Sequence, residues 1–173
     1  WGARSDVGCV RPHNEDSYLV QSPLFCVCDG MGGHAAGEVA SSIAVETIAK
    51  TAPKAADAAR LAAAVEAANA AVIEAALNGL GKPGMGCTAT CAYIENDTLA
   101  IAHVGDSRAY LLHEGTLIRV TRDHSYVEEL VDAGEITADE ARVHPNRSVI
   151  TRALGSDPAM PTTSLCISRK ATV

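Results

Sequence analysis

At 173 residues, 47% apolar and 20% charged, the chain has the composition of one globular domain, 1–173, with a sizeable core. Its net charge of −7 excludes a nucleic-acid surface, which needs clustered Lys and Arg. No stretch approaches the roughly 20 apolar residues of a membrane span and no signal peptide is visible, so a cytoplasmic protein is expected.

In chain order, the first informative segment is Arg11-Pro12-His13-Asn14-Glu15-Asp16, where Pro12 keeps Arg11 extended. Glu15 and Asp16 are adjacent, so on an extended chain they point to opposite sides and only one faces a shared site directly. A strand over 17–20 and a turn at Ser22-Pro23 lead into the apolar run 24–28, which is too short for a helix and predicts a strand buried on both faces. That run ends in Asp29-Gly30-Met31-Gly32-Gly33-His34. A carboxylate at the edge of a core is costly unless something positive meets it, and the glycines let the backbone turn beside it. The hairpin brings Arg11, Glu15 and Asp16 near Asp29.

The period then becomes helical. Helices are predicted over 37–51, ended by Pro53, and over 55–77, with Leu61, Val65, Ala68, Val72 and Ala76 as its apolar stripe. Strands follow over 85–94 and 98–104, the second ending in Gly105-Asp106-Ser107-Arg108, and a hairpin pairs 109–112 with 116–120 across Glu114-Gly115. Ser125 starts a helix to about 133 that Gly134 stops, and a capping box at Thr137-Ala138-Asp139-Glu140 opens another. Residues 149–154 return to apolar character, and a last strand covers 162–167. The six cysteines lack Cys-x-x-Cys spacing and a Cys followed six positions later by Arg, so they are expected as small buried hydrophobes in a reducing compartment.

Two strands thus each deliver an Asp beside a Gly, with Glu15 and Asp16 nearby. Carboxylates and backbone carbonyls without metal-spaced His or Cys suit the hard cations Mg²⁺ and Mn²⁺. A carboxylate bridging two such ions places an acidified water for in-line attack, and Arg11 is the natural bidentate clamp for a phosphoryl group. The combination points to phosphoester hydrolysis, and the phosphate-binding G-x-x-x-x-G-K-[ST] loop is absent.

The ordered set Arg11 to Asp16, Asp29 to His34, Gly86-Cys87-Thr88, Val104 to Arg108, Asp123-His124-Ser125 and Thr151 to Gly155 resembles the bacterial branch of the metal-dependent type 2C serine/threonine protein phosphatases, the PPM family. The resemblance runs nearly end to end. It implies an α+β fold, an α-β-β-α sandwich of two antiparallel sheets with helices outside, and hydrolysis of phosphoserine and phosphothreonine in proteins by a metal-activated water. By matching positions, Asp29 resembles the carboxylate bridging two catalytic ions, with Gly30 C=O on one of them. Glu15 and Asp16 resemble the acidic pair that orders the water, Arg11 the phosphate clamp and Asp106 the ligand of a third ion. Residues 125–144 match the family's flap beside the active site, and Thr88 is expected to support the core near it. Met31 stands where some relatives carry a His proposed as general acid, which leaves His34 as the candidate.

The family ends with strands carrying an Asp-Gly motif and a final Asp-Asn that complete one ion, and the chain stops before both. The C-terminal strands of the sandwich are accordingly missing. This predicts weak metal binding and self-association through an open sheet edge, with Asp123, Asp139 and Asp157 as the acids to inspect for replacement ligands. The rival expectation is a catalytically inactive binding or regulatory module. Expected partners are phosphoproteins made by a serine/threonine kinase.

Overall fold

The computed structural model describes residues 1–32 and 36–168. The elements are β1 (Ser17–Gln21), β2 (Leu24–Cys28), β3 (Gly30–Met31), α1 (Ala36–Thr51), α2 (Ala58–Leu77), β4 (Gly86–Cys87), β5 (Ala89–Glu95), β6 (Thr98–Val104), β7 (Tyr110–His113), β8 (Thr116–Arg119), α3 (Tyr126–Asp132), α4 (Ala138–Val143) and β9 (Thr163–Ser168). The fold is α+β. An antiparallel five-stranded sheet, order β1-β2-β5-β6-β9, carries α1 and α2 on one face, with two-stranded sheets β3-β4 and β7-β8 beside it.

Register decides which side chains reach the helices. Cys26 pairs with Leu19 and Cys91, and Cys91 with Ala102, so these positions share a face of the sheet. There Leu24, Cys26, Cys28, Cys91, Ala100, Ala102 and Val104 pack with Ala40, Ala44 and Ile48 of α1 and Leu61, Val65, Ala68 and Val72 of α2. Small alanines on both helices let their backbones lie close to the sheet at little side-chain entropy cost.

The strand 24–28 is not buried on both faces as expected. Phe25 is half-buried and Val27 is 48% exposed, because the opposite face is only partly roofed, by residues around Ser107 and Arg122. The strand expected over 85–94 is interrupted at Thr88. The helix expected from 55 starts at Ala58, because Asp57 caps it by accepting the Arg60 N–H at 3.0 Å. Residues 149–154 form no strand, only the isolated bridges Ser125↔Ile150 and Cys87↔Leu154. Of the cysteines, Cys26, Cys28, Cys87 and Cys91 are buried as expected, whereas Cys9 and Cys166 are exposed. No helix among the described residues is long and apolar enough to cross a membrane.

Candidate active site

β2 ends at Cys28, and Asp29 links it to β3. The Gly30 N–H donates to Glu15 O at 3.2 Å, and the Ser41 hydroxyl on α1 donates to the same carbonyl at 2.7 Å. Two glycines allow this closeness: a Cβ on Gly30 would stand 2.3 Å from Gly37 O, and one on Gly37 would stand 2.6 Å from Gly30 C. The start of α1 is thereby pressed onto the Asp29-Gly30 turn, with the loop before β1 clamped between them.

Asp29 is held by its main chain, donating its N–H to Thr88 Oγ1 at 3.0 Å and accepting at its carbonyl from the Thr88 N–H at 2.9 Å. Its carboxyl is pushed up to about 6, first by burial, then by the Asp16 charge and more weakly by Asp106, while the Arg11 guanidinium works in the opposite sense. Asp16, whose N–H is fixed by Asn14 Oδ1 at 3.0 Å, is the member of the acidic pair that interacts with Asp29. The Glu15 side chain lies beside Gly37, its Cδ 3.0 Å from where a Cβ on Gly37 would sit. Asp16, Asp29, Asp106 and Arg11 are therefore in electrostatic contact, and Glu15 meets the same turn through its carbonyl, with its side chain beside Gly37. His34 lies outside the described residues. Among the described residues, no three His, Cys, Asp or Glu side chains close into a metal cage.

The other acids considered as ligands are committed elsewhere. Asp123 is 7% exposed at its side chain and gripped by Arg108, whose Nε lies 3.0 Å from each carboxylate oxygen and whose Nη2 lies 2.6 Å from Oδ2. Asp139 is a surface residue paired with Arg142 at 3.4 Å, and Asp157 accepts the Ala159 N–H at 2.8 Å. The Arg108–Asp123 pair and Ser41 were not foreseen as site supports. Arg108 and Asp123 both stood in the quoted motifs, but Ser41 carries no signal in the sequence.

Two cavities reach this region. One of about 520 Å³ runs along the partly open sheet face past Tyr18, Phe25 and Val27 to Asp16 and Asp29. The other, about 830 Å³, lies between Asp106 and the α3–α4 pair, lined by Arg119, Val127, Arg142 and Arg147. Behind Asp106, His124 Nδ1 accepts the Gly105 N–H at 3.1 Å and its Nε2 lies 3.0 Å from Thr163 Oγ1. The neighbouring ring of His103 is 5.0 Å away between centroids.

Burial lowers both histidines, His124 to about 4, with the His103 and Arg152 charges adding to the effect. Because the folded value lies below the unfolded one near 6.5, the neutral rings stabilise the fold fully above pH 6.5 and this is lost as pH falls toward 4. Asp29 acts in the opposite sense, so the test uses an Asp29→Asn background. There, stability should fall by about 2 kcal/mol between pH 7 and pH 5 in urea titrations. A flat or rising profile would contradict the assignment of neutral rings.

The family model for protein phosphatase 2C matches residues 4–168. The chain is 43% identical over 168 residues to the serine/threonine protein phosphatase PstP of Mycobacterium tuberculosis, covering 95% of this chain and 33% of that protein, so it spans about a third of that relative's length. Its structure superposes on the crystal structure of M. tuberculosis PstP with a TM-score of 0.88 at 42% identity, covering 95% of this chain and 71% of that one. A second structure, of the PstP catalytic domain in complex with two manganese ions, gives a TM-score of 0.84 at 40% identity, covering 95% of this chain and 70% of that one.

Proposed function

This chain belongs to the protein phosphatase 2C family, and on that premise we propose that it hydrolyses phosphoserine and phosphothreonine in proteins with the help of Mn²⁺ or Mg²⁺. The observation that carries the reading is the packing of the Asp29-Gly30 turn against the loop that carries Asp16, fixed by the 3.2 Å bond from Gly30 N–H to Glu15 O, where burial and the Asp16 charge also raise the Asp29 carboxyl. Carboxylates that repel one another, beside the backbone carbonyl of Gly30, form an all-oxygen donor set suited to hard cations. A divalent ion would relieve the repulsion. In this reading Asp29 and Gly30 hold two ions, Asp16 and Glu15 order the water and Asp106 serves a third ion. When bound, the ions polarise the phosphoryl group and acidify the attacking water.

Arg11 then does the positioning. Its guanidinium is exposed yet within the field of Asp29, where its planar fork suits two phosphoryl oxygens. The α3–α4 pair beside Asp106 is the flap in this reading, and the basic cavity under it is where the phosphoprotein approaches. Substrates would be products of a serine/threonine kinase in the same cytoplasmic compartment.

A second reading is a non-catalytic module that keeps the fold without turnover. Phosphoserine and phosphothreonine peptides incubated with the intact protein and Mn²⁺ separate the two. Phosphate release is expected, and its absence with folded protein would favour the module. Arg11→Ala should raise KM for p-nitrophenyl phosphate by roughly tenfold with a smaller loss of kcat. An unchanged KM with a collapsed kcat would contradict the clamp role.

A further inference from the structure

Thr88 occupies the gap between β4 and β5 and is 1% exposed. Its polar atoms and its methyl are spent on two turns. Its N–H and Oγ1 satisfy the carbonyl and N–H of Asp29, at 2.9 and 3.0 Å. The same Oγ1 lies 2.8 Å from Ser107 Oγ. Its methyl fills the space over Gly105, where φ is +105° and a Cβ would come within 2.5 Å of Thr88 Cγ2. Gly105 and Ser107 flank Asp106 on either side. One side chain therefore grips both the turn that carries Asp29 and the turn that carries Asp106.

We infer that Thr88 is a positioning residue for the divalent-cation site, setting the separation of the Asp29 and Asp106 carboxylates through its hydroxyl, while its methyl serves packing over Gly105. The inference rests on the functional reading above, that these carboxylates hold cations. Like charges in a partly desolvated site push apart, so their spacing without an ion is whatever the backbones impose. The Asp29 backbone is pinned from the Thr88 side by both of its polar groups, and the Asp106 turn by a hydroxyl and a methyl contact. A hydroxyl shared between the turns makes the two carboxylates move together, which suits ligands of neighbouring ions. Ordinary core support would need the methyl but no shared hydroxyl.

Thr88→Val keeps the shape and removes the hydroxyl, leaving the Asp29 N–H without its acceptor and Ser107 without its partner. Thr88→Ser keeps the hydroxyl and removes the methyl. The test is calorimetric titration of the intact protein with Mn²⁺ alone, at 25 °C, beside thermal unfolding in EDTA. Thr88→Val should bind Mn²⁺ roughly tenfold more weakly than the wild type. Thr88→Ser should keep wild-type affinity despite a lower Tm, and adding Ser107→Ala to Thr88→Val should weaken binding no further.

Wild-type Mn²⁺ affinity in Thr88→Val, or equal weakening in Thr88→Ser, would overturn the inference and leave Thr88 as core support. If Thr88→Val does not fold, Ser107→Ala alone decides: about a threefold loss of affinity supports the inference and no loss overturns it. A folded wild type that binds no Mn²⁺ would overturn the functional reading itself, and the positioning role with it, so the two failures are told apart.

Discussion

Replacing Asp29 by Asn lowers turnover by roughly a thousandfold or more, because a carboxylate proposed to serve two ions loses its charge for both. The fold should survive, and in EDTA it should become slightly more stable. The sign follows from the raised carboxyl: with a folded value of about 6 against an ordinary 3.8, the ionised form is disfavoured in the native state at pH 7. The gain is held to no more than about 1 kcal/mol, since the Asp29 residue is exposed on one side and water screens its neighbours. Steady-state rates with Mn²⁺ and urea unfolding in EDTA read the two effects separately. Near-normal turnover in the folded variant would remove Asp29 from the centre of the mechanism. Equal loss of stability and activity would mean that the residue is only structural.

Gly30→Ala should damage both the fold and the site. The added methyl would stand 2.3 Å from Gly37 O and 2.4 Å from Glu15 O. Both obstacles are backbone atoms, which cannot swing aside as a side chain would. Relief requires the start of α1 and the loop before β1 to back away from the Asp29 turn, breaking the 3.2 Å bond from Gly30 N to Glu15 O. Overpacking of this kind costs about 3 kcal/mol, or a Tm lowered by roughly 10 °C for a chain of this size. Activity should fall with it, because Asp16 is carried on the displaced loop. Gly2→Ala is the control, since a Cβ there meets nothing within 4 Å. A Gly30→Ala protein with wild-type Tm would contradict the tight packing of helix, loop and turn.

Elements with strong local chemistry were legible in the sequence. The Thr137 and Glu140 capping box, the Ser125 cap and the stripe Leu61, Val65, Ala68, Val72 all stand where the pattern put them. The Asp29 and Asp106 turns were visible as apolar runs ending in Asp beside Gly. Properties that depend on distant partners were not legible. Whether Val27 is covered depends on what lies across the sheet, and periodicity within one strand carries no such information. The interruption at Thr88 exists because that residue turns its polar groups to Asp29 and Ser107, which are remote in sequence. Strand alternation separates Glu15 from Asp16, but that Asp16 is the one acting on the Asp29 carboxyl depends on the folded turn. Asp123 looked like any other acid until Arg108 was found around it.

The direct test is hydrolysis of p-nitrophenyl phosphate by the intact protein, stripped with EDTA, dialysed and then titrated with Mn²⁺, Mg²⁺ or Zn²⁺. The expected result is no measurable turnover in the stripped protein and saturable recovery with Mn²⁺ or Mg²⁺, absent in Asp29→Asn. Turnover that survives chelation, or that zinc alone restores, would contradict an oxygen-ligated divalent site at Asp16, Asp29 and Gly30.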